Sequence, residues 1–189
     1  MNHSIPQKKQ GKKTFKSRIK VLRDIYPPGC IFEIASHVEE FRVGRYGGEL
    51  EFTRMILDEI DSSDVLYDIG ACIGMVTIHA AHRALKVIAF EPDPHYRSRL
   101  EKNLSLNKVN NVRIVDWAVS DSPGTATLYT DGYNGMSPSL IQGDKKGCIS
   151  IKTNSIDTAI SEGILPVPTL IKLDIEGAEM LALKGMEKL

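Results

Sequence analysis

A chain of 189 residues with 42% hydrophobic and 25% charged residues has the size and composition of one globular domain with a substantial core. Basic and acidic residues number 24 each, so the chain has no net charge to attract nucleic acid, and we expect no nucleic-acid partner. No apolar run approaches the roughly 20 residues of a membrane-spanning helix, and none follows the basic N-terminus as in a signal peptide. We therefore predict no membrane span and a cytoplasmic location.

The cysteines and histidines indicate neither a disulfide framework nor a metal site. Cys30, Cys72 and Cys148 are odd in number, far apart and without C-x-x-C spacing, which agrees with a reducing compartment. His79 and His82 could share a metal from one face of a predicted helix, but no acidic residue is spaced to join them. We therefore predict no metal.

The chain divides into three regions, of which the first two carry little sequence signal. Residues 1–20 hold seven lysines and arginines and no acid; such an arm could contact phosphates or an anionic membrane, but we interpret it as a disordered leader. Residues 21–60 are a predicted N-terminal cover, in which 29–43 could form a small hairpin and 49–60 a helix. The predicted apolar face of that helix consists of Phe52, Met55, Ile56 and Ile60.

The third region, 61–189, alternates strand and helix patterns. Asp93 as N-cap and Pro94 at the first helical position mark the start of the second helix. Strand–helix–strand units of this length predict a doubly wound α/β fold with a parallel sheet in the spatial order 3-2-1-4. The predicted strands are 65–70, 86–92, 111–119 and 168–177, and the predicted helices are 72–85, 93–107 and a last one from 178 onward.

The pattern changes between the third and fourth of these strands. Segments 124–130 and 148–155 alternate like half-exposed strands, and the loop between them, 131–147, is rich in glycine, asparagine, serine and aspartate. We expect this insertion to form a lid or hairpin on the substrate side of the sheet.

The turn after the first strand, DIGACIG, contains two glycines with different predicted roles. Gly70 permits a sharp turn, and Gly74 lets the next helix begin close to a bound ligand. Two glycines alone are a weak signal, and Asp68 stands where a dinucleotide-binding G-x-G-x-x-G motif would have its first glycine. A carboxylate disfavours a pyrophosphate but suits a ligand with an ammonium and a sulfonium, so the turn favours S-adenosylmethionine over a nicotinamide dinucleotide.

Two further strand ends carry acidic residues. Glu91 ends the second strand about 20 residues after Gly70, where an acidic side chain accepts hydrogen bonds from ribose hydroxyls. Asp116 ends the third strand, and with Trp117 beside it could offer adenine an acceptor and an apolar wall. Each acid could instead be a helix N-cap or a surface residue, and for Asp116 the two interpretations are equally supported.

Five segments in this order resemble the FkbM family of S-adenosylmethionine-dependent methyltransferases. They are DIGACIGMVTIHAA, AFEPDPHYRSRLEKN, AVSDSPGTATL, ISIKTNSIDT and LIKLDIEGAEMLALKGM, and the resemblance runs from about Gly48 to the last residue. It implies a Rossmann-like methyltransferase fold, S-adenosylmethionine as cofactor, and O-methylation of a small-molecule or glycan hydroxyl on a sugar, lipid or polyketide-like acceptor. By motif match it implies cofactor contacts at Asp68, Gly70, Gly74 and Glu91, and active-site carboxylates at Asp174 and Glu176.

The end of the fourth strand is also where we expect a general base. Methyl transfer to a hydroxyl benefits from a base near its proton, and Asp174 is the first choice because it ends that strand at the ligand edge. Glu176 and Glu179 follow, and Glu179 is expected to complement a helix N-terminus instead. Lys172 points to the same side of the strand as Asp174 and could pair with it.

Other interpretations remain open from the sequence. One is a cofactor-binding but inactive domain that acts as a partner or regulator; a nicotinamide oxidoreductase is argued against by Asp68. A nucleobase methyltransferase is disfavoured because the fourth strand ends in LDIEG rather than an N/D-P-P-Y motif. Only four core strands precede Leu189, so we expect a truncated chain that methylates poorly and forms a homodimer through its exposed fourth strand.

Overall fold

The computed structural model describes residues 15–25, 27–44, 49–130, 138–142, 144 and 147–189. In this part of the chain the strands are β1 (Arg18–Leu22), β2 (Cys30–Ile34), β3 (Val65–Ile69), β4 (Lys86–Phe90), β5 (Val112–Val115), β6 (Ala118–Val119), β7 (Gly124–Thr130), β8 (Gly147–Asn154) and β9 (Leu170–Leu173). The helices are α1 (His37–Val43), α2 (Glu49–Glu59), α3 (Met75–Ala81), α4 (Pro94–Asn107), α5 (Ile156–Ser161) and α6 (Glu179–Lys184). None of the helices in these residues is long and apolar enough to cross a bilayer.

A four-stranded parallel sheet, ordered β5-β4-β3-β9, forms the centre of the fold. In the order of the predicted core strands this is 3-2-1-4, so the predicted Rossmann-like α/β architecture is confirmed. The central strands β3 and β4 are mostly apolar because both faces of the sheet are covered. Leu66 and Val87 face a core shared with α3, whereas Tyr67 and Ile88 face a core shared with α5 and α6.

The predicted third strand, 111–119, is two strands in the structure. β5 pairs with β4, whereas β6 pairs with β8, which also pairs antiparallel with β7. The chain leaves the parallel sheet at Asp116 and Trp117, which separate β5 from β6. The half-exposed strands predicted around the insertion are confirmed as β7 and β8, and most of the loop at 131–147 lies outside the described residues.

The N-terminal region forms secondary structure that the sequence does not reveal. β1 and β2 pair as an antiparallel hairpin, so the predicted disordered leader is wrong for residues 18–20, while residues 1–14 lie outside the described part. Pairing with β2 and burial of Leu22 in the core hold β1 in place. The hairpin predicted within 29–43 is also wrong in extent, because only β2 is a strand there and α1 follows it with Ser36 as N-cap.

Two asparagine side chains of α4 attach this hairpin to the parallel-sheet domain. Asn107 accepts the backbone N–H of Ile31 at 2.8 Å and donates to the Ile31 carbonyl at 2.7 Å. Asn103 is fully buried, accepts the N–H of Glu33 at 2.9 Å and donates to the carbonyl of Ile73 at 2.9 Å. The two amides therefore satisfy backbone groups on the edge of β2 that does not pair with β1.

Helix α2 buries a different face from the one predicted. Thr53, Leu57 and Ile60 are buried, whereas Phe52 and Met55 are 38% and 67% exposed. The helix packs against α3 through positions separated by one turn of helix, which leaves Phe52 and Met55 beside β9. The helix is confirmed, but its predicted apolar face is only partly correct.

Gly70 lies where β3 and β9 end side by side, and its replacement tests that close approach. It has φ +87°, and a Cβ there would overlap the carbonyl oxygen of Asp174. Gly163 has φ +68° but nothing within 4 Å of its Cβ position. We expect Gly163→Ala to lower the free energy of unfolding by about 1 kcal/mol through backbone strain alone. Gly70→Ala should lower it by about 2–3 kcal/mol more, because the two strand ends must separate.

Denaturant unfolding of the two alanine variants measures this difference directly. Equal losses of stability at Gly70 and Gly163 would contradict a steric role for the packing between β3 and β9.

Candidate cofactor and acceptor site

A cavity of about 700 Å³, counted with the space that opens to solvent, lies at the carboxyl ends of β3, β4 and β9. Gly70, Glu91 and Asp174, which follow these three strands, line it together with apolar side chains of β6 and β7. A smaller cavity shares part of this lining and extends to Asp68 and Lys172. The carboxyl ends of parallel strands are where open α/β sheets bind ligands, so the fold brings predicted site residues together at the expected edge.

The turn between β3 and α3 is fixed by hydrogen bonds to β4 and to Glu91. The N–H groups of Gly70 and Ala71 both donate to the carbonyl of Phe90, at 3.1 and 3.0 Å. Cys72 has a positive φ of 51° and donates its N–H to Glu91 Oε2 at 2.8 Å. Because these residues form a turn, α3 begins later than the predicted helix at 72–85.

Gly74 has a packing role and does not line either cavity. It has φ +93°, and a Cβ there would lie 2.6 Å from Leu100 Cδ1. The glycine therefore allows α3 to start against α4, and the cavity lining does not support its predicted direct contact with a cofactor.

Glu91 is a buried carboxylate held by two backbone N–H groups. It is 7% exposed, and its Oε2 and Oε1 accept from Cys72 at 2.8 Å and from Asp93 at 2.9 Å. Burial raises the pKa of Glu91 to about 7, against the lowering effect of these two hydrogen bonds and of the Lys172 ammonium. Each oxygen keeps a further lone pair, so the ionised side chain can accept hydrogen bonds from a diol in the cavity.

Asp68 is buried and already has partners within the protein. Its Oδ2 accepts from Thr77 Oγ1 at 2.5 Å, and its Oδ1 lies 3.3 Å from Lys172 Nζ. That approach is an ion pair but lacks hydrogen-bond geometry, so Oδ1 has no hydrogen bond within the described residues. The Lys172 ammonium donates instead to the Gly70 carbonyl at 2.8 Å. Asp68 is therefore first the counter-ion of Lys172, and its Oδ1 is the oxygen that has no hydrogen bond to the described residues.

The carboxylates predicted after the fourth strand have different environments. Asp174 is half exposed in the cavity, and its Oδ2 lies 3.8 Å from Lys172 Nζ, as predicted from the alternation of the strand. Glu176 also lines the cavity and has a positive φ of 57°. Glu179 Oε1 accepts the N–H groups of Ile175 and Gly177 at 3.1 and 3.2 Å, and hydrogen bonds to backbone N–H groups lower its pKa. Glu179 thus lies in the first turn of α6, as expected for an acid that complements a helix N-terminus, although its hydrogen bonds go to the residues before the helix.

Asp116 and Trp117 do not line either cavity. The Asp116 side chain is 53% exposed and pairs with Lys152 Nζ at 3.5 Å. The Trp117 ring packs edge-on against Phe90, with ring centroids 5.1 Å apart. Strand β5 ends at Val115, before both residues. Because neither residue lines a cavity, the structure gives no support to their predicted contact with adenine.

Sequence reasoning missed lining residues that other parts of the chain bring to the cavity. Arg42 of α1 and Tyr96 of α4 both line it. Arg42 precedes every recognised motif and carries no sequence signal, whereas Tyr96 could have been found on the inward face of the helix that follows Glu91. Residues 138–140 also line the cavity, which agrees with the predicted position of the insertion on the substrate side.

His79 and His82 both have structural roles. His79 is buried, its Nδ1 bonds with the Met75 carbonyl at 2.8 Å, and its ring stacks on Phe32. His82 is the C-cap of α3. Within the described residues, no group of histidine, cysteine, aspartate and glutamate side chains is placed to hold a metal ion.

Residues 68–189 match the family model described as the methyltransferase FkbM domain. The chain is 32% identical over 178 residues to the hexuronic acid methyltransferase AglP of Haloferax volcanii, a match that covers 92% of this chain and 71% of that protein. It is 26% identical over 182 residues to the 2-O-methyltransferase NoeI of Sinorhizobium fredii, covering 83% of this chain and 72% of the relative.

Among solved structures, the methyltransferase FkbM from Methylobacillus flagellatus KT aligns with a TM-score of 0.48 and 23% identity. That alignment covers 70% of this chain and 31% of the other. The family model spans more than half of the chain, and it includes the turn after β3, Glu91 and the carboxylates after β9. The chain belongs to the FkbM family of methyltransferases, as its ordered motifs predict.

Proposed function

We propose that this chain binds S-adenosylmethionine at the carboxyl ends of β3, β4 and β9 and methylates a hydroxyl of a sugar, with hexuronic acid residues as the favoured acceptor class. One observation carries the proposal: Gly70, Glu91 and Asp174 follow three neighbouring strands and line one cavity. The sugar acceptor is supported by the similarity to AglP and NoeI, whose names describe a hexuronic acid methyltransferase and a 2-O-methyltransferase.

The chemistry of the cavity fits this cofactor at both of its ends. Glu91 can accept hydrogen bonds from the two ribose hydroxyls, because each of its oxygens has a free lone pair. Asp68 lines the smaller cavity, and its buried Oδ1, which has no hydrogen bond within the described residues, suits an ammonium donor. The proposed contacts of the cofactor are therefore Glu91 at the nucleoside and Asp68 with the Gly70 turn at the methionine half.

The acceptor side of the site needs a group that takes up a proton. S-adenosylmethionine would supply an electrophilic methyl group: its methyl–sulfur bond would break to leave S-adenosylhomocysteine while the carbon–oxygen bond forms and the hydroxyl loses its proton. Asp174 is half exposed to the cavity, and its Oδ2 lies 3.8 Å from the Lys172 ammonium. We assign the general base to Asp174 and a supporting acceptor contact to Glu176, which lines the same wall.

The Asp174→Asn variant tests the assignment of the base. The amide keeps the shape of the side chain but cannot take up the proton, so turnover should fall by roughly 10²–10⁴-fold. Affinity for S-adenosylhomocysteine should stay nearly unchanged, since Asp174 lies on the side of β3 opposite to Glu91. The measurements are methyl transfer to glucuronate-containing glycans and calorimetric titration; loss of S-adenosylhomocysteine binding in a folded variant would contradict the acceptor-side role.

Glu91→Gln tests the ribose contact. At pH 8 the variant should lose about 1.5–3 kcal/mol of S-adenosylhomocysteine affinity, the usual range for hydrogen bonds to a charged group. Asp116→Asn is the matched control, because this acid also follows a strand of the sheet but lies outside the cavity lining, and its affinity should stay within about twofold. A large loss of affinity in Asp116→Asn would support the predicted contact with adenine. An unchanged affinity in Glu91→Gln would contradict the ribose contact.

The pH dependence of the same protein gives an independent test. With the pKa of Glu91 at about 7, the unmodified protein should bind S-adenosylhomocysteine more tightly at pH 8 than at pH 6, because only the ionised carboxylate accepts with both oxygens. Without ligand, the folded state holds this proton more tightly than the unfolded state, so stability should fall as pH rises from about 4.5 to 7. Thermal unfolding and titration should both lose this pH dependence in Glu91→Gln.

The homodimer, the cytoplasmic location and the absence of a nucleic-acid partner stay predictions. A homodimer through the fourth strand is supported by the position of β9 at an edge of the described sheet, beside the exposed Met55. Light scattering on the purified chain should then show a dimer that Met55→Glu weakens, and a monomer at all concentrations would contradict it. The cytoplasmic location and the absence of a nucleic-acid partner rest on composition alone.

A further inference from the structure

A charge network around the buried Glu39 holds the N-terminal segment against α4. Arg99 of α4 donates from Nε to Glu39 Oε1 at 2.8 Å and from Nη1 to Glu33 Oε2 at 2.7 Å. Glu39 is 2% exposed and also accepts the N–H of Ala35 at 2.5 Å. Breaking such a network leaves a buried charge without its partner, so α1 is fixed in one position relative to α4.

Helix α1 presents Arg42 to the site. Its next residue, Val43, is 1% exposed in the hydrophobic core and sets the orientation of the helix. Arg42 lines both the larger and the smaller cavity, next to the turn after β3 and the end of β9. Burial raises the pKa of the Tyr96 phenol, and the Arg42 guanidinium is near enough to oppose that rise. Arg42 is therefore a cation placed by the fold at the boundary between the two cavities.

The other charges that line the site indicate which kind of ligand group Arg42 can bind. The larger cavity is lined by the carboxylates of Glu91, Asp174 and Glu176, and Arg42 is the cationic side chain among its described lining residues. Lys172 is a second cation in the smaller cavity, where it contacts the Gly70 carbonyl and two carboxylates. A guanidinium presents several N–H donors in a planar fork, which matches the two oxygens of a carboxylate.

We infer that Arg42 binds a carboxylate group of a ligand at the boundary of the two cavities. The inference rests on the proposed function, which offers two ligands with this group: the cofactor, through its amino acid end, and a hexuronic acid acceptor. The cofactor is the better match because Arg42 lines the smaller cavity together with Asp68. The smaller cavity is lined by two acids, Asp68 and Asp174, and two bases, Arg42 and Lys172, and this mixed charge complements the ammonium and the carboxylate of an amino acid.

Calorimetric titration with two related ligands tests the inference. S-adenosylhomocysteine contains the amino acid end, whereas 5′-methylthioadenosine lacks it but keeps the nucleoside. We expect Arg42→Gln to weaken S-adenosylhomocysteine binding by about 10- to 100-fold, as for one lost charge-assisted contact, and to leave 5′-methylthioadenosine binding unchanged. Arg42→Lys should recover part of the loss, because it restores the charge but not the fork.

Two further arms separate the source of the carboxylate from a general effect of removing an arginine. Arg113→Gln is the control, since Arg113 lies on β5, donates to the carbonyl of Ile164 and is absent from the lining, so both affinities should persist. Glucuronate and glucose are titrated into the S-adenosylhomocysteine complex. A preference for glucuronate that is lost in Arg42→Gln assigns the carboxylate to the acceptor.

The outcomes that overturn the inference are distinct from those that overturn the proposed function. Unchanged S-adenosylhomocysteine affinity and unchanged sugar preference in Arg42→Gln overturn the role of Arg42 while the cofactor assignment stands. An equal loss for S-adenosylhomocysteine and 5′-methylthioadenosine also overturns it, because the effect then does not depend on the carboxylate. If the unmodified protein binds neither nucleoside, the proposed function fails and this inference fails with it.

Discussion

The buried ammonium of Lys172 joins the ends of the two neighbouring strands on which the site is built. It donates to the Gly70 carbonyl at the end of β3 and lies within ion-pair distance of Asp68 and Asp174. The Lys172 and Asp68 side chains are 5% and 1% exposed, and loss of one partner from such a pair typically costs about 3–5 kcal/mol. The same contact therefore stabilises the sheet edge and fixes the turn and the carboxylate that face the cavity.

This arrangement separates the charges that stabilise the protein from those that can act on a ligand. The charge of Asp68 is largely balanced inside the protein, whereas Asp174 stays half exposed beside the same ammonium. Glu91 lies between these cases: it is buried and hydrogen-bonded to the backbone, and its pKa of about 7 shows that burial dominates its environment. Each carboxylate thus has a different capacity to bind, although all three lie at or near the carboxyl ends of strands of one sheet.

The N-terminal segment belongs to the site as well as to the scaffold. Asn103 and Asn107 pair with the backbone of β2, and Arg99 joins two acidic side chains beneath α1. These contacts connect residues 60 or more positions apart in the chain, so the cover is held by tertiary contacts rather than by local preference. Because the cover is held in this way, Arg42 lines the cavity although it lies outside the region that the family model matches.

The sequence predicts the family through the resemblance of its ordered motifs. It predicts the parallel sheet and its strand order because apolar runs of strand length, a glycine turn and strand-terminal acids are local patterns with a fixed relation to an α/β sheet. It also places Gly70, Glu91 and Asp174 at one edge. Which of the predicted residues face the cavity follows from the folded chain alone, because exposure depends on packing between distant segments. Gly74 packs against Leu100, and Asp116 is half exposed and pairs with Lys152 outside the cavity. Arg42 reaches the cavity through contacts between α1 and α4 that no local pattern encodes.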